Sequence, residues 1–253
     1  MDLKTFLDEK VSQFNDRKFI LKDPIFVPHQ FNKTQDIEIA AFFAAILAWG
    51  NRTTIIQNAM KLMDWMDHSP HQFILEHQAT DLKKMLAFKH RTFQATDLLY
   101  FIHFLQHHYQ RFNSLQSAFM PANHSIETTM EERLNHFYNT FFSLEHPSRS
   151  RKHIASPQRH SACKRLNMFL RWMVRKDKTQ VDFGIWENIP MNSLIIPLDV
   201  HVSRVGRKLG LIENEKANWQ QALLLTEKLK AFEPEDPVKY DFALFGLGIE
   251  ERI

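Results

Sequence analysis

The chain has 253 residues and a hydrophobic content of 44%, which excludes a disordered polymer and permits a real core in one large domain or two intimate lobes. Its one cysteine, Cys163, excludes a disulfide framework, a cysteine-rich zinc site and a cysteine-ligated iron–sulfur cluster. The net charge is +3, but residues 149–178 hold ten Lys/Arg against the single acid Asp177, a local charge of +9, so the remainder sums to −6. A basic block inside an acidic chain is an electrostatic footprint for a polyanion, although charge runs are more often solvated loops.

Six glycines against 22 phenylalanines and 10 methionines predict few tight turns and much helix. Leu3, Phe6, Leu7 and Val11 share one face of a first helix, with no secretory signal before it. Asp23 to Pro28 reads as extended. Thr34 or Asp36 caps a helix running through Ile39, Phe42, Phe43, Ile46 and Leu47 to Trp49. This longest apolar run is too short to span a bilayer and reads as buried, which places the protein in a reducing cytoplasm, away from membranes. Gly50 and Asn51 end it, and Thr53 or Thr54 begins another helix with Ile56, Met60, Met63 and Met66 on one face. Short helices near 70–76 and 80–87, a strongly apolar one over 98–112 and an acidic-started one over 125–142 follow. The polar stretch 144–159, with Pro147 and Pro157, reads as a hinge. Ser161 to Arg175 forms a helix whose buried stripe is Ala162, Leu166, Phe169 and Met173, and whose other face is Lys164, Met168, Arg171 and Arg175. Helices over 219–232 and from 235 through Phe245 complete the chain. No run alternates with period two and no repeat is present, so the fold class is all-α.

The chain is organised around residues 195–211. Pro197 stops what precedes it, Asp199 stands at an N-cap position, and Val202, Val205 and Leu209 repeat at helical spacing, with Gly210 as the C-terminal stop. Arg204, Arg207 and Lys208 lie off that stripe. A carboxylate at a helix start beside cations stays ionised at neutral pH. On spacing alone, Asp199 is more simply a cap than a catalyst.

The Leu198-Asp199-Val200-His201-Val202-Ser203-Arg204-Val205 and Arg207-Lys208-Leu209-Gly210 strings resemble the helix that carries the catalytic aspartate in the helix-hairpin-helix DNA glycosylase superfamily. The turn Leu47-Ala48-Trp49-Gly50-Asn51 resembles that superfamily's early helix–turn–helix, which presents a polar side chain to opened DNA; Asn51 would be that contact, or a plain helix terminator. Superfamily members that also cleave the strand carry a lysine at a helix start upstream of the aspartate, and Lys164 fits that position. The resemblance departs in two places. No glycine occurs in Ser156–Ala162, where a Gly-x-Gly hairpin normally holds a phosphate, and the spacing from Lys164 to Asp199 is 35, longer than in the endonuclease III type. The archaeal 8-oxoguanine glycosylases share both departures, and the strings at 165–173, 181–186 and 236–242 are closest to an uncharacterised bacterial family related to them.

The resemblance implies two lobes of one domain over 1–253, at about 30–145 and at 1–29 plus 146–253, with an atypical hairpin. It implies a monomeric DNA repair glycosylase with associated lyase activity on duplex DNA carrying a damaged base, 8-oxoguanine being favoured. Lys164 would be the nucleophile and Asp199 its electrostatic and acid–base partner. A lysine amine attacks only when neutral, against an ordinary pKa of about 10.4, so nearby Arg165 and Arg171 would favour the free amine. Arg159, Arg165, Arg171, Arg175, Arg204, Arg207 and Lys208, with Asn51, would hold DNA, and Trp186, Tyr240, Asp241 and Phe245 would line a base pocket, although aromatic residues are more often core. No cofactor and no metal is implied: His103, His107 and His108 lack a zincin glutamate, and no His-Asp dipeptide occurs. The alternative is a non-catalytic DNA- or RNA-binding relative, the missing glycine hairpin marking lost chemistry.

Overall fold

The computed structural model describes residues 2–125, 127–214 and 216–249. The helices are α1 (Leu3–Phe14), α2 (Arg17–Ile20), α3 (Thr34–Ile46), α4 (Arg52–Trp65), α5 (Pro70–Glu76), α6 (Ala95–Tyr109), α7 (Met130–Phe141), α8 (Lys164–Val174), α9 (Val200–Lys208), α10 (Trp219–Lys230) and α11 (Tyr240–Ile249). Among the described residues the sheet is a single antiparallel pair, β1 (Lys89–His90) with β2 (Phe93–Gln94), so the all-α class holds. No described helix is long and apolar enough to cross a membrane. The chain divides into two compact units. One comprises Met1–Leu21, Ser125–Glu131 and Ala155–Ile253; the other comprises Lys22–His124 and Glu132–Ile154.

The second of these is built around α3, which is buried from Ile37 to Ile46. A helix that is apolar all round belongs in a core. Phe42 stacks on Phe101 of α6 at 5.7 Å and meets Phe137 of α7 edge-on at 5.9 Å, while Phe119 stacks on Phe137 at 4.0 Å. One carboxylate breaks the apolar run. Glu38, fully buried, accepts hydrogen bonds from the Tyr109 hydroxyl at 2.7 Å and the Leu115 amide at 3.0 Å, and so ties α3 to the turn that follows α6.

Several local expectations are corrected here. The segment after Asp23 is two 3-10 turns, Pro24–Phe26 and Pro28–Gln30, because Pro sets φ at the first position of each and the Asp23 carboxylate caps Ile25. Helix α3 starts at Thr34 without a side-chain cap, and the buried stripe of α4 is Ile55, Ala59, Leu62 and Met63. The 144–159 stretch, read as a hinge, contains the boundary between the two units, at Ile154/Ala155, and is structured on both sides of it. It contains 3-10 turns at Ser148–His153 and Pro157–Arg159, and the first is anchored on the buried Asp97 through Ser150 at 2.7 Å, Arg149 at 3.2 Å and His153 at 3.2 Å.

The other unit packs α11 against α1 and α9. Glycines set the approach. A Cβ on Gly246 would overlap the ring of Phe14 in α1, and one on Gly248 would press on His201 and Val205 of α9 at 3.3 Å. The Tyr240 hydroxyl donates to Asp8 of α1 at 2.9 Å, and Lys239 reaches the same carboxylate at 3.1 Å. Gly246→Ala is therefore expected to lower stability by about 1–3 kcal/mol in urea unfolding, the usual cost of overpacking. Phe14→Leu combined with Gly246→Ala should recover part of that loss; strict additivity would contradict the contact.

Candidate functional site

The sequence that leads into α8 has no glycine, yet its backbone turns left-handed twice. After the Pro157–Arg159 turn, His160 takes φ +56°, and Cys163, the residue before α8, takes φ +51°. Ser161 forms an isolated bridge to Asn218 between these two positions. Positive φ at a cysteine is an uncommon conformation that surrounding packing must hold. Cys163 is buried, and burial pushes its thiol up to about 12, so it is an inert packing group rather than a nucleophile.

Lys164 opens α8, and Asp199 caps α9 as the sequence suggests. The two oxygens of Asp199 divide their work. Oδ1 accepts from the amides of His201 and Val202, both at 2.9 Å, while Oδ2 lies 3.7 Å from Lys164 Nζ. Both side chains remain partly open to solvent, at 27% and 22% exposure. The fold thus joins two residues 35 positions apart at the starts of two helices, one amine facing one carboxylate whose orientation the helix fixes.

Behind them lies a group of buried charges that sequence reasoning missed. Every residue of α8 from Leu166 to Val174 is buried, so the helix has no solvent-facing basic side. Arg171 is 4% exposed; its Nε reaches Asp182 at 3.2 Å and its Nη1 reaches Asp241 of α11. Arg175 is 2% exposed and holds Asp182 at 3.0 Å, Asp177 at 2.8 Å and Asp236 at 2.9 Å. Phe242 lies against both guanidiniums, with ring centroids at 4.4 and 5.4 Å. Desolvation raises the Asp241 carboxyl to about 6 and also raises Asp236, whereas Asp177 is held down at about 2, where hydrogen bonds from Thr179 and the Arg175 charge outweigh its desolvation.

Arg171 and Arg175 are therefore corrected from expected DNA contacts to internal counter-charges. Arg171 is held by the carboxylates of Asp182 and Asp241. Arg165 is half-buried, and desolvation pushes its guanidinium down to about 10. Arg159, Arg207 and Lys208 are exposed, and the half-buried Arg204 donates to the Gly248 carbonyl at 3.2 Å. The expected base pocket is not assembled: Trp186 is 2% exposed with its ring edge-on to Phe169, Tyr240 is fully buried against Asp8, and Asp241 is bound to Arg171. Only Phe245 of that set is half-exposed, beside Phe19. Asn51, in the other unit, is exposed and serves as the N-cap of α4, accepting from the Thr54 amide at 3.1 Å. The basic block divides between the two units, with Arg149 spent on Asp97. The described residues hold no cluster of metal-ligating side chains. Asp182 and Asp236 stood in strings already singled out. The signal for them was the pair of arginines four apart on a helix with apolar residues on every side, which demands buried acids.

Over residues 23–250 the sequence matches the family described as Protein of unknown function (DUF2400). The chain belongs to that family. No curated protein and no solved structure matches it. This corrects the expected membership of the helix-hairpin-helix DNA glycosylase superfamily, because the family that matches almost the whole chain has no stated activity. The physical reason lies in the strings that carried the resemblance. A proline stop, an aspartate cap, an apolar stripe and a glycine end are what any short capped helix needs, so they specify local structure and not ancestry.

The geometry gives two stability predictions. Asp199→Ala should cost about 1 kcal/mol in urea unfolding by stripping the cap, and Asp199→Asn much less, since Asn caps as well. An equal loss in both variants would mean that the charge, not the cap, holds α9. The second concerns Asp241, whose folded value of about 6 lies above the ordinary 3.8. The folded state then keeps a proton that the unfolded chain has released, so this group's contribution is largest below pH 4 and is lost as the pH rises to 6. Asp241→Asn removes that slope. Its stability relative to wild type should improve by on the order of 1–3 kcal/mol from pH 4 to pH 7. A difference independent of pH would sink the assignment.

Proposed function

We propose that this chain is a lysine-dependent DNA glycosylase and lyase, acting as a cytoplasmic monomer on duplex DNA with a damaged base. The observation that carries the reading is the Lys164–Asp199 pair: an amine and an oriented carboxylate 3.7 Å apart, each partly open to solvent. Exposed Arg159, Arg207 and Lys208 support it as phosphate contacts in the same unit.

In this reading the Lys164 amine, once neutral, forms a bond to the sugar C1′. The N-glycosidic bond breaks, its electron pair leaves with the base, and the base takes up a proton. Asp199 Oδ2 stabilises the positive charge that develops on the sugar, its other oxygen staying on the helix amides. Ring opening at the C1′–O4′ bond, with a proton to O4′, leaves a Schiff base on Lys164. Loss of a C2′ proton expels the 3′ phosphate by β-elimination, and water then hydrolyses the imine to regenerate the amine. The substrate base has no support from the site itself, because three of the four residues expected to grip it, Trp186, Tyr240 and Asp241, are buried. An oxidised purine such as 8-oxoguanine is the first to test.

A second reading, a nucleic-acid binder without chemistry, is favoured by one observation: both Asp199 oxygens already have structural work, on the cap and on Lys164. Borohydride trapping separates the two. With duplexes carrying 8-oxoguanine, uracil or an abasic site, wild type should give a covalent adduct that Lys164→Gln abolishes. Salt-sensitive duplex binding with no adduct on any of them would leave the binder.

A further inference from the structure

The hairpin of β1 and β2 turns through Arg91 and Thr92, between the paired His90 and Phe93. Arg91 takes φ +53° there. Glycine, asparagine or aspartate adopts that left-handed conformation at a hairpin tip with little strain, whereas a long side chain does not. Arg91 is exposed, and its guanidinium makes no hydrogen bond or ion pair among the described residues. The turn therefore carries backbone strain with no bond from this side chain to offset it.

The surroundings of Arg91 are firmly built. His90, 3% exposed, hydrogen-bonds Asn58 of α4 at 2.9 Å through Nδ1 and lies 3.3 Å from the Trp49 carbonyl through Nε2. These contacts seat the hairpin on the turn at Gly50. Arg149 braces the other side, donating to the Thr92 carbonyl at 3.1 Å and to Gln94 at 2.8 Å. Gly50, at φ +109°, leaves room for the arginine: a Cβ there would stand 3.0 Å from Arg91 Nη1 and 3.2 Å from its Cδ. The fold thus lays an unpaired guanidinium against a glycine and fixes the backbone on both flanks.

The charge around it has one sign. The two segments that meet here, 39–63 and 82–96, hold no Asp or Glu, against Arg52, Lys61, Lys83, Lys84, Lys89 and Arg91. Lys84 is shared with Asp67 at 3.8 Å, and Arg149 is committed to Asp97. Lys89 is exposed on β1 and, like Arg91, makes no hydrogen bond or ion pair among the described residues. The exposed neighbours Gly50, Asn51 and Thr92 are small or polar, so the surface lacks the apolar anchor that a protein partner would need. A guanidinium fork beside a second cation matches the paired oxygens of a phosphodiester.

We infer that Arg91, with Lys89 beside it, is a contact for the phosphate backbone of duplex DNA, built into the unit that does not hold Lys164. The inference takes its partner from the proposed function and nothing from its chemistry. It also accounts for an arginine at a turn position where glycine would be less strained.

The test is a fluorescence anisotropy titration of the full chain on an undamaged duplex between about 50 and 200 mM salt. Arg91→Gly should weaken binding about eightfold at about 0.1 M salt and lower the slope of log K against log salt by about 0.9, the counterion release of one phosphate contact. Arg91→Lys should keep the slope. The urea midpoint of Arg91→Gly should hold or rise, because glycine relieves the turn; Arg91→Asn, which also suits that turn, repeats the reading should the glycine variant fail to fold. An arginine that serves only to pack on Gly50 gives the opposite pattern, a lower midpoint with binding unmoved, and that overturns the inference. Lys61→Ala removes the same charge from α4 and should leave the slope alone. An equal fall in both variants means diffuse attraction and overturns the inference too, as does the same Arg91 dependence with polyglutamate in place of DNA, which would indicate an acidic protein. Borohydride trapping on an abasic duplex keeps the two ideas apart. Arg91-dependent binding without an adduct removes the lyase chemistry and leaves this contact; an adduct from a protein whose duplex binding ignores Arg91 does the reverse.

Discussion

Two arginines on one helix, Arg171 and Arg175, are buried with four aspartates around them, and the unit that holds the candidate site is arranged to satisfy them. Burying a guanidinium is tolerable only when acids and hydrogen bonds replace its water. The four aspartates come from three parts of the chain: Asp177 and Asp182 from the stretch after α8, Asp236 from the turn before α11, Asp241 from α11 itself. The stretch after α8 is also tied down by backbone bonds, Phe183 to the Trp172 carbonyl at 2.8 Å and Trp186 to that of Met173 at 2.9 Å. A buried ion group of this kind adds little net stability against an apolar core, but losing one member typically costs 3–5 kcal/mol. Its effect here is to tie α8 to α11 through Arg171 and Asp241, and to the segments before α11 and after α8 through Arg175.

That arrangement places the chemistry. Lys164 stands at the open end of α8, two turns from Arg171, where burial gives way to partial exposure. Asp199 is turned by its own helix. Two amides take one oxygen and leave the other for the amine. Close helix contact at Gly248 and Gly246 lets α11 sit between α1 and α9, with Asp241 in its first turn held by Arg171. The apparent basic block over 149–178 dissolves in the process. Its two innermost arginines neutralise aspartates, Arg149 neutralises Asp97, and what faces solvent is a smaller set including Arg159, Lys176 and Lys178.

The other unit solves the same problem with aromatics. The rings of α3, α6 and α7 interlock, and two of its buried acids, Glu38 and Asp97, fasten a turn and a loop to that cluster. Asp97 fixes the part of the polar 144–159 stretch that precedes the unit boundary at Ile154/Ala155. Prolines and serines suggest a loop, and a loop it is, but a buried carboxylate three-fold bonded to Arg149, Ser150 and His153 holds it.

What the sequence determined by itself was local. Apolar spacing gave the helices and the all-α class, because the period of 3.6 is written along the chain. The cap at Asp199 and the stop at Gly210, with φ +70°, were legible because capping depends on a few neighbouring residues. Charge was legible only as a count. The sequence shows ten basic residues within one stretch, but which of them face water depends on what packs over them, and α8 turned out to be buried from Leu166 to Val174. The approach of Lys164 to Asp199, and of Asp241 to Arg171 across 70 residues, came only from the tertiary structure. Contacts between distant residues follow from how helices stack, and stacking is set by the summed fit of side chains that no short string contains.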